Sequence, residues 1–338
     1  MESIKQPWKN DVNVLLIFFI REDVLKQTFE AIRQARPRRL LLWQDGAREN
    51  MPDDIAKIEK CRVIVENIDW ECEVYKNYQI RNWGCDPSTF YSHKWAFSIV
   101  DKCIVLEDDM VPKQSFFRYC KELLDKYEFD NRINHICGIN FVEDAITYDS
   151  DYIFSYYGTG AWASWRRVEQ GWDETYSFLN DKKAMRNLKK KLPKLFPSVY
   201  KTAMQHKVSG IAHWESILGF DAYLNNRLVI IPRVNMVTNI GVTPDATHGT
   251  SLRLMDKKTR GIFFMKSQDI SFPLKHPHYY IVDADYLNEM SKINCKGRPL
   301  LAKWRIIQYY CRCIFYGVFF NKMKAKILGK KKFVMMNK

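Results

Sequence analysis

The chain has 338 residues, enough to bury a full core as one large domain or as a domain with appendages. Aromatics are 14% of it, while Gly and Pro stay modest at 14 and 12, which excludes a disordered or collagen-like chain. Its 53 Lys and Arg against 39 Asp and Glu leave a formal net charge of +14. That excess points to anionic partners without choosing among nucleic acid, anionic lipid and phosphorylated substrates. The nine cysteines are odd in number and form no CxxC pair. They fit reduced thiols in a cytosolic protein better than a disulfide framework or a zinc site, and Cys103 and Cys137 are expected in the core. Residues 1–11 are polar, so neither a signal peptide nor an N-terminal anchor is expected. The expected location is a bacterial-style cytosol, with a peripheral position on the inner face of the cell membrane.

Residues 12–20 form a continuous apolar run, too short to span a bilayer, that reads as a first buried strand. Arg21-Glu22-Asp23 follow, then a helical stretch to about Ala35 with Val24, Leu25, Phe29 and Ile32 on one face, ended by Pro37. Arg39–Gln44 is a second strand, closed by Asp45-Gly46. Residues 54–61 read as a short helix and 62–66 as a third strand. This β-α-β-α-β alternation predicts an α/β fold with a mostly parallel central sheet and helices on both faces. In such sheets ligands sit beyond the carboxyl ends of the strands, where Arg21 and Asp45 both lie.

Residues 82–88 are a loop whose Ser88 is placed to cap a helix to about Val100, and that helix carries His93. Cys103-Ile104-Val105-Leu106 then runs straight into Glu107-Asp108-Asp109. Three adjacent carboxylates repel one another and are costly to hold together unless a cation or hydrogen-bond donors answer them. Hard cations such as Mg²⁺ or Mn²⁺ prefer such oxygen sites and usually share them with substrate phosphates. Taken alone, the run reads equally as a solvated acidic turn before a helix. Residues 115–127 are an amphipathic helix and 135–139 a further strand. Residues 156–165, rich in Gly and aromatics, suit either a sugar-binding wall or ordinary core packing.

Residues 181–207 are a basic, helical insertion, and 212–218 open a helix carrying Trp214-Glu215. Leu228–Pro232 is a short strand, followed by Asn239-Ile240-Gly241 and Asp245-Ala246-Thr247-His248. From Leu300 onward aromatics alternate with Lys and Arg. That stretch reads as a membrane-surface helix or, equally, as a docked C-terminal helix with a basic tail, and Arg312 argues against a spanning one.

In this order, the strand ending in Arg21, Gln44-Asp45-Gly46, Asn82-Trp83-Gly84, Ser92-His93-Lys94, Leu106-Glu107-Asp108-Asp109, Ala161-Trp162-Ala163-Ser164-Trp165, Trp214-Glu215 and the motifs 239–248 resemble one family. The chain resembles the GT-A-fold, nucleotide-sugar-dependent glycosyltransferases. It is most similar to bacterial members often labelled haemolytic-protein-like, and more distantly to the inverting N-acetylglucosaminyltransferase I group. The resemblance covers roughly residues 12–249. It implies a Rossmann-like GT-A domain over 1–250, with a nucleotide-binding half at 1–140 and an acceptor half at 141–250. Residues 251–338 would form a basic C-terminal helical extension.

By that resemblance, Arg21 meets the diphosphate, and Asp45 and His93 face the base, uracil in the distant relatives. Glu107 and Asp108 contact the donor sugar and the ribose, and Asp109 is the single direct protein ligand of Mn²⁺ or Mg²⁺. Trp162 lines the donor sugar site, His248 approaches the phosphates, and Glu215 is the catalytic base, standing where the family usually shows an Asp. The implied partners are a UDP-sugar donor and a glycan or lipid-linked acceptor, with no nucleic acid. Two other readings weigh against this one. A sugar nucleotidyltransferase of related fold needs a Gly-rich loop after the first strand, and residues 18–23 hold no glycine. A non-enzymatic binder of anionic polymer or membrane accounts for the charge, yet no nucleic-acid module is recognisable.

Overall fold

The structure is a computed structural model and describes residues 11–142, 149–242 and 252–318. Ten strands are formed: β1 (Asn13–Phe18), β2 (Arg39–Gln44), β3 (Glu73–Tyr78), β4 (Lys102–Glu107), β5 (Met110–Pro112), β6 (Ile133–Cys137), β7 (Tyr152–Ser155), β8 (Trp162–Trp165), β9 (Leu228–Pro232) and β10 (Val237–Asn239). The helices are α1 (Glu22–Ala35), α2 (Asp53–Glu66), α3 (Cys85–Ile99), α4 (Gln114–Lys126), α5 (Arg166–Glu169), α6 (Lys182–Lys191), α7 (Phe196–Ser209), α8 (Trp214–Leu224), α9 (Lys257–Arg260), α10 (Ala284–Asn294) and α11 (Pro299–Phe315).

Eight strands make one mixed sheet in the order β3-β2-β1-β4-β8-β6-β9-β7. Six of them point the same way, and β8 and β7 run against the rest. The run at 12–20 contributes β1, buried over its whole length and hydrogen-bonded on both sides. Two-sided burial is why it carries no polar alternation. The strand order reverses between β1 and β4, and at such a switch point the two loops leave in opposite directions and open a crevice. The register pairs Phe18 with Gln44 and Ile17 with Glu107, so Arg21, Asp45 and Glu107–Asp109 all start from one rim. Because β8 is antiparallel to β4, with Trp162 beside Val105, its preceding residues Thr159 and Gly160 reach the same rim.

Helix α1 buries Val24, Leu25, Phe29 and Ile32, the predicted face, and Arg36 closes it in a left-handed conformation before Pro37. Two expectations are corrected, and a third, the helical insertion at 181–207, is refined. Residues 62–66 are no strand; they continue α2, whose buried Ile58, Cys61 and Val65 follow a helical period of three and four. The third strand is instead β3, a sheet-edge strand with no fully buried residue. Ser88 does not cap α3, which starts three residues earlier after Gly84; its hydroxyl accepts from the Trp43 indole at 2.9 Å. The insertion at 181–207 is two helices, because Pro193 cannot continue α6. Cys103 and Cys137 are fully buried.

The chain beyond residue 250 packs into the body as well as onto it. Phe264 donates its N–H to Asn239 O at 2.8 Å, and the Thr238 hydroxyl bonds Met265 O at 2.9 Å. This ties 262–268 along β10, which itself pairs with β5 directly after the acidic turn. Among the described residues no helix is long and apolar enough to cross a membrane.

Candidate active site

A cleft of about 500 Å³ opens at the switch point. Its floor is the turn joining β4 to β5, which carries Glu107, Asp108 and Asp109, and Arg21 stands over it from the start of α1. The Arg21 guanidinium pairs with Asp108 through two nitrogens, with Nε 3.3 Å from Oδ2, and reaches Asp109 Oδ2 at 2.9 Å. Thr28 Oγ1 donates to Asp108 O at 2.8 Å, which pins the turn to α1. Two carboxylates beside it hold the guanidinium charge in place against burial, and its pKa rises.

One arginine against three acids leaves the floor with excess negative charge. Glu107 answers by holding its proton. Burial pushes its pKa well above the usual carboxylate range, and the nearby charges of Asp109, Glu215 and Asp108 push further. Burial also raises Asp108, with Arg21 opposing. Asp109 keeps one oxygen, Oδ1, buried without a hydrogen-bond partner. An orphaned carboxylate oxygen in a buried setting is costly, and a hard cation is the kind of group that relieves it. On its other side lies Gly241, where a Cβ would come within 2.1 Å of Asp109 Oδ2. A glycine there is what lets the strand pass that close. Among the described residues no group of three or more His, Cys, Asp and Glu side chains is arranged to hold a metal ion by itself. The donor set therefore fits a cation taken by Asp109 and completed by other oxygens.

Asp45 lies at the cleft but points into its own loop. Oδ1 accepts from Gly46 N at 3.0 Å and Trp83 N at 2.9 Å, and Oδ2 from Gly84 N at 3.0 Å and Asn82 Nδ2 at 3.1 Å. Four donors use up the lone pairs of one carboxylate, so no acceptor is left over to read a base. Asp45 latches the loop that places Asn82, Gly84 and Cys85 on the cleft wall. Burial raises its pKa while the backbone donors pull the other way.

His93 is not a cleft residue. It is fully buried, neither ring nitrogen has a hydrogen-bond partner, and the edges of Trp162, Trp172 and Trp214 close around it at 5.1, 5.6 and 5.2 Å. Burial pushes its pKa down to about 3, so it is neutral at any ordinary pH. Trp162 also sits one layer back, 2% exposed and stacked on Trp214 at 6.1 Å and 11°. The indole that lines the cleft is Trp214, and the next residue, Glu215, is solvent-exposed in the lining of the same cleft. Beyond Glu215 lies Lys296, with its amine 3.8 Å from the Tyr157 ring centroid; burial lowers its pKa and Glu215 raises it. His248 lies outside the described residues.

The structure thus brings Arg21, Asp45, Glu107, Asp108, Asp109 and Glu215 to one cleft and leaves Trp162 and His93 behind it. Sequence reading missed Arg48, Phe141, Ile262 and Phe263, which complete the wall. Arg48, three residues beyond Asp45, was within reach of the strand-end rule. Nothing in the sequence signals that 262–263 fold back to a rim laid down more than 150 residues earlier. No family model matches the chain, and no curated protein matches it.

Proposed function

We propose that the protein is a metal-dependent, inverting glycosyltransferase of the GT-A type. It would move a sugar from a nucleoside diphosphate sugar, UDP favoured, to a hydroxyl of a glycan or lipid-linked acceptor in surface polysaccharide synthesis. The observation that carries the reading is one cleft lined by an acidic turn, an arginine and an exposed carboxylate, Glu215. Glycosyl transfer breaks the bond from the anomeric carbon to the diphosphate and forms one to an acceptor oxygen, whose proton must leave. Glu215 takes that proton. Arg21, freed from part of its pairing, faces the charge that builds on the departing diphosphate. A Mn²⁺ or Mg²⁺ ion held by Asp109 supplies the remaining charge neutralisation when bound. Glu107, whose pKa is pushed up by burial and the neighbouring acids, offers its carboxyl to a sugar hydroxyl. Among the described residues the cleft lining offers one carboxylate, Glu215, besides Asp45 and the acidic turn, which favours inversion.

The reading is tested by a panel of nucleotide-sugars in a thermal-shift experiment with and without Mn²⁺. At least one donor should raise the melting temperature only when the metal is present. A panel in which none does, or in which the metal makes no difference, removes the proposal.

A further inference from the structure

The formal charge of the chain is not spread over it. Between Cys295 and Lys338 stand 12 of the 53 Lys and Arg and none of the 39 Asp and Glu. That stretch alone accounts for +12 of the formal +14. Within it, α11 is seated on the body by one side. Cys313 is fully buried, Arg305 donates to Lys292 O at 2.6 Å and pairs with Asp256 at 3.6 Å, and the helix packs on 252–254.

The opposite side is apolar. Leu300, Trp304, Ile307, Ile314 and Phe315, spaced by four, three, seven and one residues along the helix, stand 80, 55, 53, 62 and 82% exposed, with Lys303 beside them. A helix normally turns such a stripe inward, and here the polar, anchoring side faces the protein instead. Each of these side chains leaves apolar surface in water that burial would recover.

We infer that α11 docks the protein on an anionic lipid surface, lying flat with the Trp304–Ile307–Phe315 stripe sunk among the acyl chains. The chemistry of the stripe selects this occupant. Trp, Phe and Leu on one face with Lys and Arg around it is the pattern of an interfacial helix, and the lysines that follow in sequence add attraction to anionic headgroups. A second copy of the chain fits less well. Pairing two such helices would bring two acid-free, strongly basic segments together. The inference does not rest on the glycosyltransferase reading.

The test uses the full chain and its triple variant W304S/I307S/F315S. Each protein is sedimented with vesicles of phosphatidylcholine alone and with vesicles holding about 30 mol % phosphatidylserine. The wild type should sediment with the anionic vesicles and far less with neutral ones. The triple variant should lose at least about tenfold in partitioning while keeping the wild-type melting temperature, since the replaced side chains face solvent. Absence of wild-type binding to the anionic vesicles overturns the inference, as does undiminished binding of the variant. A wild-type dimer that the triple variant dissolves, seen by sedimentation equilibrium without lipid, would assign the stripe to a second copy instead.

Discussion

Two clusters of buried titratable groups lie on either side of Trp214, and they are built on opposite principles. On the cleft side, Glu107, Asp108 and Asp109 share a tight turn with Arg21, and one carboxylate oxygen is left without a partner. Behind the indole, His93 has no partner either, but it is enclosed by three tryptophan edges and holds no charge. Desolvation acts on both. In the first it works against charges that other charges keep in place, so the cluster is open to a ligand that completes it. In the second it has only to keep one imidazole neutral, and the cluster is closed. Burial and perturbed titration alone do not mark a functional site. What separates the two is whether the unsatisfied group faces a cleft.

Four replacements test that distinction, the first with the largest expected effect. Asp109→Asn keeps the shape of the turn and removes the charge, and metal-dependent turnover of the nucleotide-sugar should fall by at least about a thousandfold with the fold intact. Normal turnover would place the metal elsewhere. Glu215→Gln should leave donor binding within about twofold and lower transfer by about a hundredfold to a thousandfold, the range for loss of a positioned general base. If transfer survives, another group takes the acceptor proton.

Asp45→Ala should act on folding more than on chemistry. It strips acceptors from three backbone N–H groups at residues 46, 83 and 84, at about 2 to 3 kcal/mol in urea unfolding, with weaker donor binding as the loop loosens. Weakened donor binding with unchanged stability would return Asp45 to direct contact with the base. The smallest effect concerns His93. Its pKa is near 3 folded and 6.5 unfolded, so the folded state binds fewer protons and stability is lost as pH falls below 6.5. Between pH 7 and pH 5 the wild type should lose about 2 kcal/mol more than His93→Phe does. Equal losses would mean that the cage admits a charged imidazole.

Much of this was legible in the residues. The apolar run at β1, the face of α1 and the acids at the end of β4 each obey a local rule, and the β1–β4 switch point then brings Arg21 and Asp109 together with no side-chain information. The misreadings share a cause. Residues 62–66 are apolar enough for a strand, and only their place in the buried series 58, 61 and 65 shows the helix. The strands β7 and β8 are four residues each, too short for a period to register. Trp162 and Trp214 are the same residue type in similar settings, and which of them faces the cleft depends on how β8 and α8 stack. His93 was placed facing the base by the family resemblance alone, and tertiary packing turns it inward instead.

The front wall of the cleft has a consequence for when the site comes into being. Arg21 and Asp109 come from the first 110 residues, yet the acidic turn runs into β5, whose strand partner is β10, and the lining also needs Glu215, Ile262 and Phe263. The cleft can therefore enclose a small molecule only when residues far down the chain have folded back over it.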